Sequence, residues 1–303
     1  MSICHRLVNH AGFFSEFFFM IKSYLYSKKH NKQFIIDTTN WLFKYKLGWD
    51  DYFIPIENNS EPSDIESYCF FNYVNDINNN ILEEFTVIDY KNAINDIYKY
   101  NTTVQSNIND KYKELELFNK NYGSLFIRRG DKLGHESKIY YTDVYIELLL
   151  EKYPDCSIIY IQTDDYTCIL EAEKYINDNS LNIKIITMCN NYMRGVFLSS
   201  KPTTNIQKNI KYLDSIQVNY KSVFEMNSHE IYDHTMDMLI GLDIVFHSKC
   251  CILDYQSNVS RFIKLKHENP NNVFDVEGYE LNKNFCPAFP ESVYDDYYTF
   301  RHS

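Results

Sequence analysis

Gly123-Ser-Leu-Phe-Ile-Arg-Arg-Gly-Asp-Lys-Leu-Gly-His-Glu136 is the stretch on which the reading of the fold turns. It passes from an apolar strand, Ser124–Ile127, into paired arginines and then a glycine turn bearing Asp131, Lys132 and Glu136. The chain has six arginines in 303 residues, and Arg128 and Arg129 stand side by side here. It has eight glycines, and Gly123, Gly130 and Gly134 fall within this stretch. Scarce residue types gathered at a strand end mark a place where backbone geometry and fixed positive charge are both required.

Downstream the strand is followed by a regular rhythm. Thr142-Asp143 can cap a helix carrying Val144, Ile146, Leu148, Leu149 and Leu150. Ser157–Ile161 reads as a second strand ending at Thr163-Asp164-Asp165, residues 170–176 as a second helix, and Ile183–Thr187 as a third strand. Strands and helices alternating at this spacing are the sequence form of a parallel doubly wound sheet. Residues 190–225 are irregular. A helix over 229–246 then leads to the strand Cys250–Leu253, and the turn Asp254–Asn258 opens a helix with Val259, Phe262, Ile263 and Leu265 on its apolar side.

Upstream, a turn at Gly12 leads into an amphipathic helix through about Ser27, with Phe17, Met20, Ile21 and Tyr24 at helical spacing. Gln33–Asp37 is a short buried strand, 57–80 reads as a long polar loop, and 91–121 has a helical pattern. A boundary near residue 120 gives an N-terminal α/β domain over 1–120 and a C-terminal Rossmann-like domain over 121–303.

The net charge of −11 excludes the basic surface that a nucleic-acid binder needs, but not a local basic pocket for a phosphate ligand. Hydrophobic content of 45% is enough for sizeable cores. The eight cysteines are dispersed without a Cys-x-x-Cys pair, which suits free thiols in a reducing compartment. The apolar run Phe17–Ile21 is far too short to span a bilayer. The expectation is a soluble, cytoplasmic protein with no membrane span.

In an open α/β sheet, ligands bind at the carboxyl ends of the strands. Three such ends carry polar clusters: Arg128 to Glu136, Thr163 to Asp165, and Asp254 to Asn258. A guanidinium fork donates parallel hydrogen bonds to phosphate and keeps its charge. Ser257 lies where a helix begins, so its hydroxyl and nearby N–H groups can hold an anion. Plainer readings stand beside these. The arginines can be a surface pair bridging to acidic neighbours, Asp164-Asp165 can cap a helix or hold a metal, and Glu136 can be one surface glutamate among many. No phosphate loop, Gly-x-Gly-x-x-Gly, Asp-x-Asp, His-Glu-x-x-His or Gly-x-Ser-x-Gly occurs. That removes phosphate-loop kinases, classical dehydrogenases, zincins and serine hydrolases as leading readings.

Ile127-Arg-Arg-Gly-Asp-Lys-Leu-Gly-His-Glu136, with Tyr145 beyond it, resembles the first signature of the α1,6-fucosyltransferase family, whose members core-fucosylate N-glycans or fucosylate chitin oligosaccharides. The Arg-Arg-Gly-Asp core is also similar to the α1,2-fucosyltransferases. Tyr160–Asp165 resembles the second signature, and Leu242-Asp243 with Tyr255–Arg261 the third. Asn40-Trp41 to Gly48-Trp49 and Phe53 resembles an N-terminal segment of the same family, and the turn at Gly12 a shortened form of its glycine-rich loop. The family has a His two residues before the first arginine. This chain has Phe126 there, which leaves the identity of the nucleotide base open, and the Asp243–Ser257 spacing is about two residues short.

The resemblance implies an α/β, GT-B-like fold of two Rossmann-like domains with the active site in the cleft between them. It implies an inverting glycosyltransferase that moves L-fucose from GDP-fucose to a hydroxyl of a glycan acceptor, without a cofactor or an essential metal. Arg128 would bind the β-phosphate and stabilise departing GDP, with Arg129 beside it. Ser257 would contact the diphosphate, and Asp243 would read the guanine edge. Glu136 would be the general base, with Lys132 close by. Asp164, Asp165 and Tyr145 would shape the donor and acceptor site, and Asp131 and Gly12 would support it. Two alternatives stay open: a transferase using another nucleotide-deoxysugar, or a non-catalytic nucleotide-sugar or glycan-binding protein of the same fold.

Overall fold

The computed structural model describes residues 1–8, 11–56, 65–69, 85–129, 140–193, 195 and 223–278. The chain divides into two units, one formed within Met1–Asn101 and the other within Thr102–Glu280.

In the first unit β1 (Ser2–Arg6) lies between β2 (Gln33–Asp37) and β3 (Ile65–Cys69), and all three strands are parallel. Ile3 pairs with Phe34 on one side and Glu66 on the other. Two of these strands go beyond the sequence reading. β1 is only five residues long and carries little pattern of its own. β3 keeps Ile65 and Ser67 exposed, so its polar pattern merges with the loop expected over 57–80.

Helix α1 (Phe13–Lys29) is buried over most of its first half, including Phe13, Phe14, Phe17, Phe18, Phe19, Met20 and Ile21. A helix apolar nearly all round needs cover on several sides. It gets this from the sheet, from α2 (Val87–Ile97) and from a cluster of rings. Phe17 stacks on Trp49 with centroids 6.1 Å apart, Trp49 on Phe53 at 4.2 Å, and Phe13 meets Trp41 at 5.4 Å. One carboxylate holds the turn that carries Trp49: Asp51 accepts from the backbone N–H groups of Tyr45, Lys46, Leu47 and Gly48. Gly48 has a φ of +78°, and a Cβ there would lie 1.9 Å from Thr38 Oγ1, so the turn demands glycine.

The second unit starts with α3 (Thr102–Glu114) and continues with β4 (Gly123–Ile127), α4 (Thr142–Lys152), β5 (Ile158–Thr163), α5 (Thr167–Asp178) and β6 (Lys184–Thr187). It continues with α6 (Ser228–Phe246), β7 (Cys250–Leu253), α7 (Asn258–Lys266) and β8 (Val273–Asp275). The five strands are parallel in the order β6-β5-β4-β7-β8. The chain thus winds outward from β4 to β6 and returns to the other side of β4. The strand order switches between β4 and β7.

Alternation along the strands sorts the two faces. Leu125, Ile127, Ile159, Ile161, Cys250 and Ile252 form one core with α4 and α5. Ser124 points the other way, its Oγ 2.8 Å from Ser248 Oγ just beyond α6. On that face α6 packs against β4 and β5, and Phe246 of α6 meets Phe262 of α7 with centroids 5.7 Å apart. An Asn227–Glu230 capping box starts α6, reciprocally satisfying two N–H groups.

The run 91–121, read from sequence as one helical pattern, is two helices, interrupted where Tyr98 and Tyr100 pack on Phe53. The units part at that interruption, between Asn101 and Thr102, and α3 packs on α6. Among the described residues no helix is long and apolar enough to cross a membrane.

Candidate functional site

Strand periodicity sends the two arginines to opposite faces of the sheet. Leu125 and Ile127 face α4 and α5, so Arg129 follows them. Arg128 follows Ser124 and Phe126 to the α6 face.

Arg129 is 2% exposed. Its two terminal nitrogens donate to the two oxygens of Glu171 at 3.0 and 2.6 Å, and Nη1 also donates to Thr167 Oγ1 at 2.8 Å. Glu171 further accepts from the N–H and the hydroxyl of Thr142. A buried guanidinium forked onto a carboxylate is committed to it. It fastens α4 and α5 to the end of β4. The donor-binding role expected of Arg129 gives way to this structural one.

Arg128 keeps a quarter of its side chain exposed, with Nη1 3.1 Å from Asp164 Oδ2. The other oxygen of Asp164 accepts the Arg129 N–H at 2.8 Å. One buried carboxylate therefore ties down the end of β4 and aims the Arg128 guanidinium. Arg128 stands at the carboxyl edge, beside the point where the strand order switches. That is where open α/β sheets take their ligands.

Asp165 is 4% exposed, and its Oδ1 accepts the Thr167 N–H at 2.9 Å. Burial raises its carboxyl pKa. The bond to Thr167 forms a turn just before α5, whose N-cap is Tyr166. Ser257 is the N-cap of α7; its Oγ accepts the Ser260 N–H at 3.1 Å and lies 2.8 Å from Ser260 Oγ. The α7 N-terminus opens at the same carboxyl edge as Arg128, directly across the switch. Beside it, burial pushes the Asp254 carboxyl up to about 6, with Asp275 and Glu277 adding to the shift. The Asp275 carboxylate accepts the Tyr255 N–H at 2.6 Å, and the Tyr140 hydroxyl donates to Glu277.

Tyr145 and Asp243 each have a local engagement. Tyr145 is 4% exposed, within the apolar core under α4, where burial raises its phenol pKa. It contributes packing rather than a donor contact. Asp243 lies near the C-terminal end of α6. The next residue's carbonyl, Ile244 O, accepts from Tyr122 OH at 2.8 Å, and Tyr122 immediately precedes β4. Asp243 holds His247, whose Nδ1 lies 3.4 Å from Oδ1, and this bond raises the imidazole to about 9.

Phe126 is 5% exposed, a core residue on the α6 face. Gly12 belongs to the first unit, where it precedes α1 with ordinary extended angles and open space around its Cβ position. Asp131, Lys132 and Glu136 lie outside the described residues.

Sequence reasoning missed two participants. Glu171 is the partner that buries Arg129. His234, half-buried on α6, lies near enough to Arg128 and Asp164 for both charges to act on it. Burial and the Arg128 cation hold this imidazole below its ordinary pKa, while Asp164 opposes them. Helical spacing was the available signal: His234 is two turns before Gly241, whose contact with Gln162 marks the sheet-facing stripe of α6.

Together these features define the class: a doubly wound α/β chain with an arginine and a helix N-terminus at the carboxyl ends of the two strands that flank a strand-order switch. No family model matches the sequence, and no curated protein matches it. Among solved structures the chain is similar to NodZ alpha-1,6-fucosyltransferase soaked with GDP-fucose, with a TM-score of 0.50 and 11% identity over 88% of this chain and 92% of that one. It is also similar to fucosyltransferase NodZ from Bradyrhizobium, with a TM-score of 0.48 and 11% identity over the same shares. The first likeness shows the fold, which is α/β and GT-B-like.

Proposed function

We propose that this chain is an inverting, metal-independent glycosyltransferase that moves L-fucose from GDP-fucose to a hydroxyl of a glycan acceptor. The observation that carries this reading is Arg128: a partly exposed guanidinium, aimed by Asp164, at the strand-order switch opposite the α7 N-terminus. The fold shared with NodZ alpha-1,6-fucosyltransferase and the order of the sequence signatures support it.

In the reaction the acceptor oxygen attacks the anomeric carbon on the face opposite GDP. The bond from that carbon to the β-phosphate oxygen breaks, and GDP leaves with the electron pair. Arg128 stabilises the charge that develops on the departing phosphate, a role a metal fills elsewhere. Glu136 takes the proton of the acceptor hydroxyl, with Lys132 and Asp131 a few residues before it in the sequence. The α7 N-terminus adds its dipole to the hold on the diphosphate.

The test is GDP release from GDP-fucose with a panel of glycan acceptors, run with and without EDTA. Transfer that survives EDTA is the expected result. Activity lost to EDTA and restored by a divalent ion overturns the metal-free step, and GDP-fucose binding without turnover on any acceptor points to a binding protein of the same fold. Glu136→Gln should lower transfer by roughly 100-fold or more while leaving donor binding in place.

A further inference from the structure

A second basic group overhangs the Arg128 site. Helix α6 runs antiparallel to the strands: Ile244, at its end, meets Tyr122 at the amino edge, and Gly241 packs on Gln162. His234 lies seven residues before Gly241, on the same stripe and about 10 Å further toward the carboxyl edge. Asp164 lies two residues past Gln162, about 7 Å in the same direction. The stripe that touches the strand at Gln162 therefore brings the His234 imidazole over the Arg128–Asp164 pair. It is half-buried there.

We propose that His234 is a phosphate-binding residue of this site, neutral when the site is empty and protonated when a diphosphate is held against Arg128, so that binding takes up one proton. The inference rests on the donor reading above. The physical cause is the change in local charge. In the empty site burial and the Arg128 cation favour the neutral imidazole. A diphosphate brings two or more negative charges, cancels the Arg128 repulsion and turns a disfavoured imidazolium into a second hydrogen-bond donor to phosphate.

Among the described residues the other charged groups near this helix have their own engagements. On α6, Asp233 pairs with His229 at 3.2 Å, Glu230 closes the capping box, and Asp237 lies among Lys111 and Glu114 of α3. On α7, Arg261 Nε donates to Tyr255 O, and Lys264 Nζ to Pro270 O and Val273 O. The groups bearing on His234 from the sheet are Arg128 of β4 and Asp164 of β5.

The sign follows. Between the lowered pKa of the empty site and the raised one of the complex, the complex binds more protons, so affinity rises as pH falls, by at most about tenfold per pH unit. A phosphate that loses a proton on meeting Arg128 releases one, so the direction separates protein from ligand. Titration calorimetry with GDP, and separately with inorganic pyrophosphate, in two buffers of different ionisation enthalpy should give uptake of about one proton near neutral pH. His234→Gln should abolish the uptake and leave a pH-independent affinity close to the wild-type value at high pH. His234→Lys should keep tight binding at high pH. Asp254→Asn should retain the uptake; its loss in that variant assigns the proton to Asp254 and overturns the proposal. Binding by the wild type without uptake, or uptake that persists in His234→Gln, overturns it as well. Pyrophosphate binding with uptake but no GDP binding removes the guanine donor and leaves His234 standing. Failure of both ligands to bind removes both readings.

Discussion

Arg128 and Arg129 are neighbours in sequence, yet their removal should have opposite signatures. Arg129→Ala leaves the Glu171 carboxylate, 11% exposed, facing only the two donors of Thr142. Breaking a buried pair by removing one partner costs about 3–5 kcal/mol. At about 2–4 °C per kcal/mol for a unit of this size, the melting temperature should fall by roughly 6–20 °C. Arg129→Lys keeps the charge and loses the fork, so it should recover only part of that loss. Arg128→Ala removes an ion pair that is a quarter exposed and whose buried partner keeps the Arg129 N–H. After discounting for solvent, its stability cost should be about 1 kcal/mol. Its effect should appear instead in GDP binding, measured by calorimetry and by the thermal shift that saturating GDP produces. If Arg129→Ala melts as little changed as Arg128→Ala, or if Arg128→Ala binds GDP like the wild type, the assignment of the two arginines to opposite faces and different tasks is wrong.

Asp243→Asn should weaken the bond to His247. Its cost is in stability. The folded His247 imidazole is raised to about 9 by Asp243, so the contribution is full below the unfolded histidine pKa and is lost as pH rises through about 9. With His247 43% exposed, a melting comparison should show a deficit of no more than about 1 kcal/mol at pH 6 and none at pH 10. In the first unit, burial pushes the fully buried Glu16 carboxyl up to about 8, against an opposing bond from the Val8 N–H. The folded state then holds a proton that the unfolded chain gives up, and the wild type loses stability between the normal carboxylate pKa and pH 8, at most about 1.4 kcal/mol per pH unit. Glu16→Gln should match the wild type at pH 5 and melt higher at pH 8; equal melting at both values removes the inference.

The second unit was legible because its signals are local and repeated. Gln33–Asp37 and Cys250–Leu253 appear as strands with the bounds their apolar runs suggested, and the cap-and-stripe pattern before Leu149 marks α4 closely. What failed is three-dimensional. Arg128 and Arg129 look equivalent in a motif, and only alternation past the strand end, with Glu171 arriving from a helix forty-odd residues on, tells them apart. The segment with Trp41 and Trp49 resembled a family motif for a reason that is now physical: its rings and the Asp51 turn build the core of the first unit. β8 was hidden in an aromatic, acidic tail because three residues carry too little pattern to read.

The ring cluster around α1 also has an optical consequence. Both tryptophans of the chain, Trp41 and Trp49, are 5% and 4% exposed within it, and the second unit contains none. Tryptophan emission selectively excited at long wavelength should therefore be blue-shifted in the native protein and move to the red only when the first unit opens. Loss of the Arg129–Glu171 pair, however severe, acts on a unit that this signal does not see directly. Comparing the emission transition with far-ultraviolet dichroism along a denaturant series would then report whether the two units melt as one transition or as two.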